Sequence, residues 1–380
     1  MKVLFFSAFT PHEMSAAEKN TKIMLTKFDP DIQVDFVCLK YKSDPEYRPA
    51  RENVRILKQF PNPKWLRLIN ALCLPFFHHF FSARLNPFYL LWLKRTVARE
   101  KYDVVVFDHS QLFLYAKWLG GDSRKVLIAH DVILQRISRS SNSSLLKNMC
   151  KWSESYCIRV KNSQLFTFSE KDCGLFEEYY HVKAKCTFDY LDERIEQCTP
   201  AGNSDYFVMF GSWGRDDNLN GALWLAKEVL PLIDVETKVV IIGKGFPIDK
   251  VGTVINKVQI ENLGFVDNPY PIISGAKALL SPLFSGAGIK VKVIESLACG
   301  VPVIGTKIAF EGIPTQFEQF MIQADDAKEF IRRMGDISFA AEERADFKKF
   351  FADGFQNETV PEYIHKSLTS STGASKSCDC

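Results

Sequence analysis

The chain has 380 residues, of which 46% are hydrophobic and 24% charged, and its formal net charge is only +3. These proportions are typical of a globular protein, and the length exceeds what one ordinary core needs, so two domains are expected. The small net charge excludes any argument for nucleic-acid binding from the overall charge balance. Ten cysteines are scattered along the chain without a C-x-x-C pair, which favours reduced, mostly buried thiols and a cytoplasmic location.

Short apolar runs alternate with helical segments along the first half of the chain. The predicted strands are Val3–Phe6, Val34–Leu39, Val54–Leu57, Val104–Phe107, Val126–Ala129 and Leu165–Phe168. The predicted helices are Ala16–Phe28, Asn86–Glu100, Gln111–Trp118, Leu145–Lys161 and Glu170–Tyr179. This alternation predicts an α/β fold in which helices cover both faces of a parallel sheet.

The segment Leu66–Leu93 is the one place where the sequence suggests contact with a membrane. Polar residues and prolines interrupt its apolar run, and no stretch approaches the ~20 apolar residues that a spanning helix needs. Basic residues in and around it are Lys64, Arg67, Arg84 and Lys94. Two interpretations stay open: amphipathic helices packed on the domain, or peripheral contact of residues 64–94 with the inner face of an anionic membrane.

Two histidines follow neighbouring predicted strands of the first half. His109 comes just after the strand that ends at Phe107, and His130, followed by Asp131, comes just after Ala129. Ligands of open parallel sheets bind beyond the carboxyl ends of the strands, so these side chains are candidates for a site. A single histidine is more often structural, but two at successive strand ends favour a functional role.

The second half repeats the pattern of short strands and helices. Its predicted strands are Tyr206–Phe210, Lys238–Ile242, Val258–Ile260, Ala278–Ser281, Val301–Ile304 and Phe320–Ile322. A polar stretch rich in small residues, Cys198–Ser204, separates the two halves. We therefore expect an N-terminal Rossmann-like domain over 1–190, a linker over 191–204 and a second Rossmann-like domain over 205–355.

The stretch from Ser281 to Thr306 carries the clearest chemical signal. A loop of small residues, Gly286-Ala287-Gly288, is predicted to lead into a helix over Ile289–Cys299. Free amides and the positive end of a helix dipole suit an anion such as a pyrophosphate, and Lys290 and Lys292 add positive charge. Glu295, one to two turns into the helix, is better suited to accepting hydrogen bonds from sugar hydroxyls. A phosphate site next to a ribose site indicates a nucleotide.

This stretch resembles the donor-binding signature of GT-B glycosyltransferases of the group 1, or family 4, class. The likeness continues in Phe210–Arg215, Val240–Pro247 and Leu263–Asp267, and covers roughly Tyr206 to Ile313. The resemblance implies two Rossmann-like domains that face a cleft. It also implies that a last helix, over 356–368, crosses back to the first domain, which leaves a tail over 369–380 that its composition predicts to be disordered.

The resemblance also implies roles for particular residues. Arg215 and Lys290 would neutralise the departing diphosphate, His109 would lie near the reacting sugar, and His130 and Asp131 would line the acceptor side. The donor-binding residues would be Ser212, Gly264, Phe265, Val266, Gly286, Ala287, Gly288, Ile289 and Glu295. Members of the family often carry a second carboxylate at the position of Ala287, and a lysine soon after the arginine, where this chain has Asn218 and Asn220.

The function so implied is transfer of a sugar from a nucleotide-diphosphate sugar to a hydroxyl of a glycan or lipid-linked glycan precursor. The resemblance further implies retention of anomeric configuration, with no metal and no cofactor. Three alternatives stay open: a sugar-nucleotide 2-epimerase of the same fold, a non-catalytic member that binds nucleotides, and a structural protein bound to a surface through residues 64–94.

Overall fold

The computed structural model describes residues 1–12, 16–42, 44–188, 191–201 and 205–373. The chain divides into two compact units, one formed by Met1–Asp189 with the segment from Asn357 onward, the other by Tyr190–Gln356. Each unit is built on a seven-stranded sheet covered by helices. The predicted α/β class is therefore confirmed. Residues 202–204 of the predicted linker and 374–380 of the predicted tail lie outside the described residues.

The first unit contains a parallel sheet with the strand order β3-β2-β1-β4-β5-β6-β7. Its strands are β1 (Lys2–Ser7), β2 (Gln33–Lys40), β3 (Val54–Pro61), β4 (Val104–Asp108), β5 (Arg124–Ala129), β6 (Ser163–Thr167) and β7 (Ala184–Cys186). Its helices are α1 (Ala16–Thr26), α2 (Lys64–Cys73), α3 (His79–Ser82), α4 (Pro87–Glu100), α5 (Phe113–Leu119), α6 (Ile133–Ser140), α7 (Ser144–Ile158) and α8 (Glu170–Tyr180). The central strands are uninterrupted apolar runs because helices bury both faces of the sheet.

The second unit has the strand order β10-β11-β9-β8-β12-β13-β14 and is parallel except for the β10–β11 pair. Its strands are β8 (Tyr206–Phe210), β9 (Thr237–Ile242), β10 (Val254–Ile255), β11 (Val258–Gly264), β12 (Leu279–Ser281), β13 (Val303–Gly305) and β14 (Met321–Gln323). Its helices are α9 (Asp216–Trp224), α10 (Ile248–Val251), α11 (Tyr270–Ser274), α12 (Val291–Ala298), α13 (Ala327–Asp336) and α14 (Ala341–Gly354).

All twelve predicted strands form, each within a few residues of its expected bounds. Two short strands were not predicted. β7 has three residues with a lysine in the middle, and β10 has two residues, so neither produces a recognisable period.

A last helix, α15 (Val360–Gly373), belongs to the first unit. The ring of Tyr363 packs on Phe166 with centroids 5.1 Å apart, and Arg124 donates from Nη1 to the carbonyl of Ser367 at 2.9 Å. The helix continues to Gly373, past residue 369, where the predicted tail begins. The Thr369 hydroxyl supports this last part by donating to the carbonyl of His365 at 3.1 Å.

The described part of the chain holds no helix that combines enough length and apolarity to cross a bilayer.

A glycine is required where α9 packs against the segment after β12. A Cβ atom at Gly221 would lie 1.8 Å from the carbonyl oxygen of Pro282, a backbone atom that cannot move aside cheaply. We expect Gly221→Ala to lower the free energy of unfolding of the second unit by about 3 kcal/mol. Urea unfolding followed by tryptophan fluorescence measures the change.

Gly335 provides the matched control, because it also lies in a helix, α13, and its Cβ would meet no atom within 4 Å. Gly335→Ala should leave stability unchanged or raise it by about 0.5–1 kcal/mol. Equal stabilities for the two alanine variants would contradict the close approach of α9 to Pro282.

Candidate functional site

The loop between β12 and α12 has the backbone of an anion site. Gly286 and Gly288 have φ angles of 115° and 67°, which side chains strongly disfavour, so both positions require glycine. Lys290 occupies the N-cap position of α12, and its ammonium group has no lone pair with which to cap the helix. Glycine amides and the first amides of α12 therefore lie in a region of positive charge. Ala287 and Ile289 complete this loop.

Glu295 lies on the second turn of α12 and is held rigidly. Only 2% of the residue is exposed, and its Oε1 accepts a hydrogen bond from the Tyr270 hydroxyl at 2.8 Å. That hydroxyl also lies 3.4 Å from Oδ2 of Asp192. Burial, followed by the charge of Glu295, raises the pKa of Tyr270, so the phenol remains a proton donor. Tyr270 was not predicted as a site residue because nothing in its local sequence marks it.

Three cations and one carboxylate lie where the β8–α9 loop meets the β12–α12 loop. Arg215 donates from Nε and Nη2 to the two carboxylate oxygens of Asp217 at 3.1 and 2.8 Å. Lys290 donates to the carbonyl of Gly288 at 2.6 Å. Lys292 donates to Oδ1 of Asn218 at 2.9 Å. The ammonium group of Lys292 thus contacts Asn218, in the region where the family resemblance implies a lysine.

Lys292 is poised to change its charge near neutral pH. Burial, together with the charges of Arg215 and Lys290, lowers its pKa to about 7 against the opposing effect of Asp217. Burial alone would raise the pKa of Asp217, but the Arg215 fork and Lys292 hold it below its usual value. This cluster of three cations and one carboxylate can bind an anion that displaces Asp217.

The turn after β11 presents an aromatic side chain. Gly264 has a φ of 66°, and its carbonyl accepts from the amide of Gly243 at 2.6 Å. Phe265 is 54% exposed and Val266 is half-buried. A Cβ at Gly243 would lie 1.8 Å from the carbonyl of Gly211. Two glycines thus bring the turn close to Gly211, which directly follows β8. The residue after it, Ser212, accepts through its carbonyl from Asn218.

A second cluster lies at the carboxyl edge of the first unit's sheet, around Asp108. Its carboxylate is fully buried at the end of β4. It accepts from the hydroxyls of Ser7 and Thr21 at 3.0 and 2.6 Å, and Nε2 of His130 lies 2.8 Å away. The rings of His109 and His130 stack with centroids 3.7 Å apart. The two predicted histidines are therefore brought together, around a carboxylate that was not predicted as a site residue.

Burial and the neighbouring side chains together determine the charges of Asp108 and His130. Burial alone would raise the pKa of Asp108, but His109 and His130 hold it well below its usual range. Burial, and then the neighbouring His109, lower the pKa of His130. At neutral pH, Asp108 is thus ionised and His130 is neutral. Because Asp108 accepts from Nε2 of His130, Nδ1 is the imidazole nitrogen that can accept a proton.

Asp108, His109 and His130 also form a group of possible metal ligands, with donor atoms within 4.8 Å of one another. Their arrangement does not fit a shared ion well. The imidazole planes lie within 13° of parallel, so their lone pairs run side by side rather than converging on one point. The hydrogen bonds of Asp108 with Ser7, Thr21 and His130 account for this carboxylate without a metal ion.

Asp131 and Glu154 support the segment that follows His130. Asp131 is 5% exposed and forms an ion pair with Arg136. Glu154, on α7, accepts from the amides of Ile133 and Leu134 at 2.8 and 2.9 Å and so caps α6. Burial raises the pKa of Glu154 to about 7. Sequence reasoning missed Glu154 because the helix it caps lies some 20 residues earlier in the chain.

Comparison with known proteins bears directly on the second unit. Residues 204–338 match the family model described as glycosyl transferases group 1. This part of the chain is therefore similar to group 1 glycosyltransferases. The match confirms the resemblance that the glycine loop, Glu295 and the turn at Gly264 indicated.

Known structures extend the likeness to both units. HepE of Anabaena, solved in complex with UDP-glucose, is 14% identical and has a TM-score of 0.67, covering 97% of this chain and 100% of that one. Sucrose-phosphate synthase of Thermosynechococcus elongatus is 12% identical, with a TM-score of 0.66 over 99% of this chain and 100% of that one. At such low identity they establish the fold, which is GT-B.

A sequence relative is an uncharacterized 44.6 kDa protein in the cps region of Klebsiella pneumoniae. It is 21% identical over 303 residues, which cover 72% of this chain and 76% of the relative.

Proposed function

We propose that the protein transfers a sugar, with retention of configuration, from a nucleotide-diphosphate sugar to a hydroxyl of a glycan or lipid-linked glycan precursor in the cytoplasm. The observation that carries the proposal is the buried Glu295, fixed by Tyr270 on the helix that follows the Gly286–Gly288 loop. The loop suits a pyrophosphate and the carboxylate suits ribose hydroxyls, and a sugar nucleotide has both groups.

Catalysis in this proposal is electrostatic. The leaving diphosphate gains negative charge as its bond to the sugar breaks, so preorganised cations lower the barrier. Arg215 and Lys290 were predicted for this role, and the contact of Lys292 with Asn218 adds a third cation. The diphosphate would take the place of Asp217 on the Arg215 fork. No metal or other cofactor is needed, because side-chain cations supply the charge.

The remaining predicted residues complete the proposal. Phe265 and Val266 would hold the base at the Gly264 turn, and Ser212 would bind the donor beside its phosphates. His109, His130 and Asp131 would serve the acceptor. Because Asp131 is paired with Arg136, we assign proton transfer to His130, which Asp108 orients, rather than to Asp131.

The test is donor binding by calorimetry, first on the wild type with a panel of nucleotide sugars and then on Glu295→Ala. Loss of hydrogen bonds to a charged carboxylate should weaken the best ligand by roughly 1–3 kcal/mol. Glu261→Ala is the control, since Glu261 is an exposed glutamate of the same unit that pairs with Lys238. If Glu295→Ala binds as tightly as wild type, Glu295 does not contact the donor.

A sugar-nucleotide 2-epimerase is the second candidate, and the Asp108–His109–His130 cluster is the observation that favours it. Such an enzyme needs acid–base groups but no acceptor. Incubation of the nucleotide sugar alone distinguishes the two: a new epimer would favour the epimerase, and turnover that requires an acceptor favours the transferase. Tight donor binding without turnover on any acceptor would indicate a non-catalytic member.

A further inference from the structure

Helix α2 of the first unit exposes its apolar side. Trp65, Leu68, Ile69 and Leu72 follow the spacing of one helix face, and they are 63%, 63%, 49% and 69% exposed. The opposite side faces the protein through Asn70, which is buried and donates to the carbonyl of Ala83 at 3.1 Å. This orientation is the reverse of that in an ordinary surface helix, which buries its apolar face.

The exposed apolar side continues beyond α2. Phe76, just after the helix, is 81% exposed. The next residue, Phe77, packs on Trp152 of α7 with ring centroids 4.9 Å apart. Trp152 is itself 50% exposed, and Leu145, on the same helix, is 76% exposed. We call this surface the apolar face; its members are Trp65, Leu68, Ile69, Leu72, Phe76, Leu145 and Trp152.

The two segments that form the apolar face carry exposed charge of one sign. No aspartate or glutamate occurs between Glu52 and Glu100, and none occurs between Asp131 and Glu154, which is buried. The exposed basic residues of these segments are Arg55, Lys58, Lys64, Lys94, Arg95, Arg99, Arg139 and Lys151. The face therefore combines large aromatic and aliphatic side chains with lysines and arginines, in segments that lack acidic residues.

We propose that the apolar face docks on the surface of an anionic phospholipid membrane. Exposed tryptophan and phenylalanine suit the boundary between headgroups and acyl chains, and the lysines suit negative headgroups. The proposed contact is centred on α2 and includes part of α7, whereas the sequence suggested contact through residues 64–94. The inference goes beyond the proposed function, because a transferase acting on a soluble glycan needs no such face.

The experiment is flotation of the full-length protein with vesicles of phosphatidylcholine, with or without phosphatidylglycerol. Wild type should float with the anionic vesicles, and less so at high salt, which screens the lysines. The double variant Leu68→Glu/Leu72→Glu should lower vesicle binding at least about tenfold. The matched control is Leu232→Glu in the second unit, where the leucine is 64% exposed, and it should float like wild type.

Either of two results would overturn the inference: wild type that stays in solution with both kinds of vesicle, or a double variant that floats as well as the control. If wild type instead forms a dimer that the double variant abolishes, and neither binds vesicles, the face joins two copies of the chain and the membrane proposal is wrong. Nucleotide-sugar binding, measured on each variant, should equal that of wild type. This measurement verifies folding and tests the proposed transferase independently of membrane binding.

Discussion

Replacement of Lys292 by methionine should lower turnover by about 10²-fold or more, because a cation aimed at the leaving diphosphate contributes on the order of 3 kcal/mol to the transition state. The methionine keeps most of the aliphatic volume, so a loss of folding is not expected. The same change at Lys227, which is 83% exposed on its side chain, should have no effect on turnover. Steady-state kcat for the three proteins measures the difference.

The pH dependence of donor binding separates a charge effect from a packing effect at Lys292. With a pKa of about 7 in the free protein, Lys292 is protonated below neutral pH and mostly neutral above it. The diphosphate favours the protonated form, so donor binding above pH 7 must be accompanied by proton uptake, and affinity should fall as the pH rises. Between pH 6 and 8.5 we expect a loss of about ten- to thirtyfold, measured by calorimetry.

Lys292→Arg is the decisive variant, since arginine stays protonated throughout this range. Its donor affinity should be nearly independent of pH, whereas that of Lys292→Met should be low at every pH. Wild-type affinity that does not change from pH 6 to 8.5 would contradict the assignment of Lys292 to the donor site. The phosphates of a nucleotide sugar do not interfere, because they are fully ionised across these pH values.

Exchanging Asn218 and Lys292 tests whether activity requires only a cation in the cluster or a cation on α12 in particular. The double variant Asn218→Lys/Lys292→Asn reverses the 2.9 Å hydrogen bond and places the cation on α9. We expect it to recover part of the activity that Lys292→Asn alone loses. No recovery would mean that the ammonium group must approach from α12.

The strands and the Gly286–Gly288 loop could be predicted because their signals are local. An apolar run or a glycine pair is visible within a few residues, and the strand ends then place His109 and His130 at one sheet edge. The pairing of Tyr270 with Glu295 was not predictable in this way. The two residues are 25 positions apart, and either type is common in proteins.

The orientation of α2 and the hydrogen-bond partners of Lys290 and Lys292 could not be predicted from the sequence either. The period of α2 shows that the helix is amphipathic, but not that Asn70 turns inward and Leu68 outward, which depends on contacts with α3. Lys290 and Lys292 are both visible near the loop, yet only the fold directs Lys290 to a loop carbonyl and Lys292 to Asn218.

Replacement of Asp108 by asparagine should lower kcat by about 10²-fold or more while leaving donor binding unchanged. Asp108 collects hydrogen bonds from Ser7, Thr21 and His130, so its charge holds the imidazole in one tautomer with Nδ1 free to take a proton. An asparagine nearly preserves the shape but removes the charge. In serine proteases, replacing the buried aspartate that orients the catalytic histidine by asparagine lowers kcat by about 10⁴-fold.

The pH dependence of kcat/KM distinguishes a positioning role of Asp108 from a structural one. The charge of Asp108 favours the protonated form of His130, so its removal should lower the pKa of that imidazole and move the acidic limb of kcat/KM to lower pH. Asp131→Asn, which alters the carboxylate paired with Arg136, should move the limb less, because the charge of Asp131 acts on the pKa of His130 more weakly than that of Asp108. If Asp108→Asn loses activity equally at every pH, or loses stability in step with activity, then Asp108 supports the fold and does not orient His130 for proton transfer.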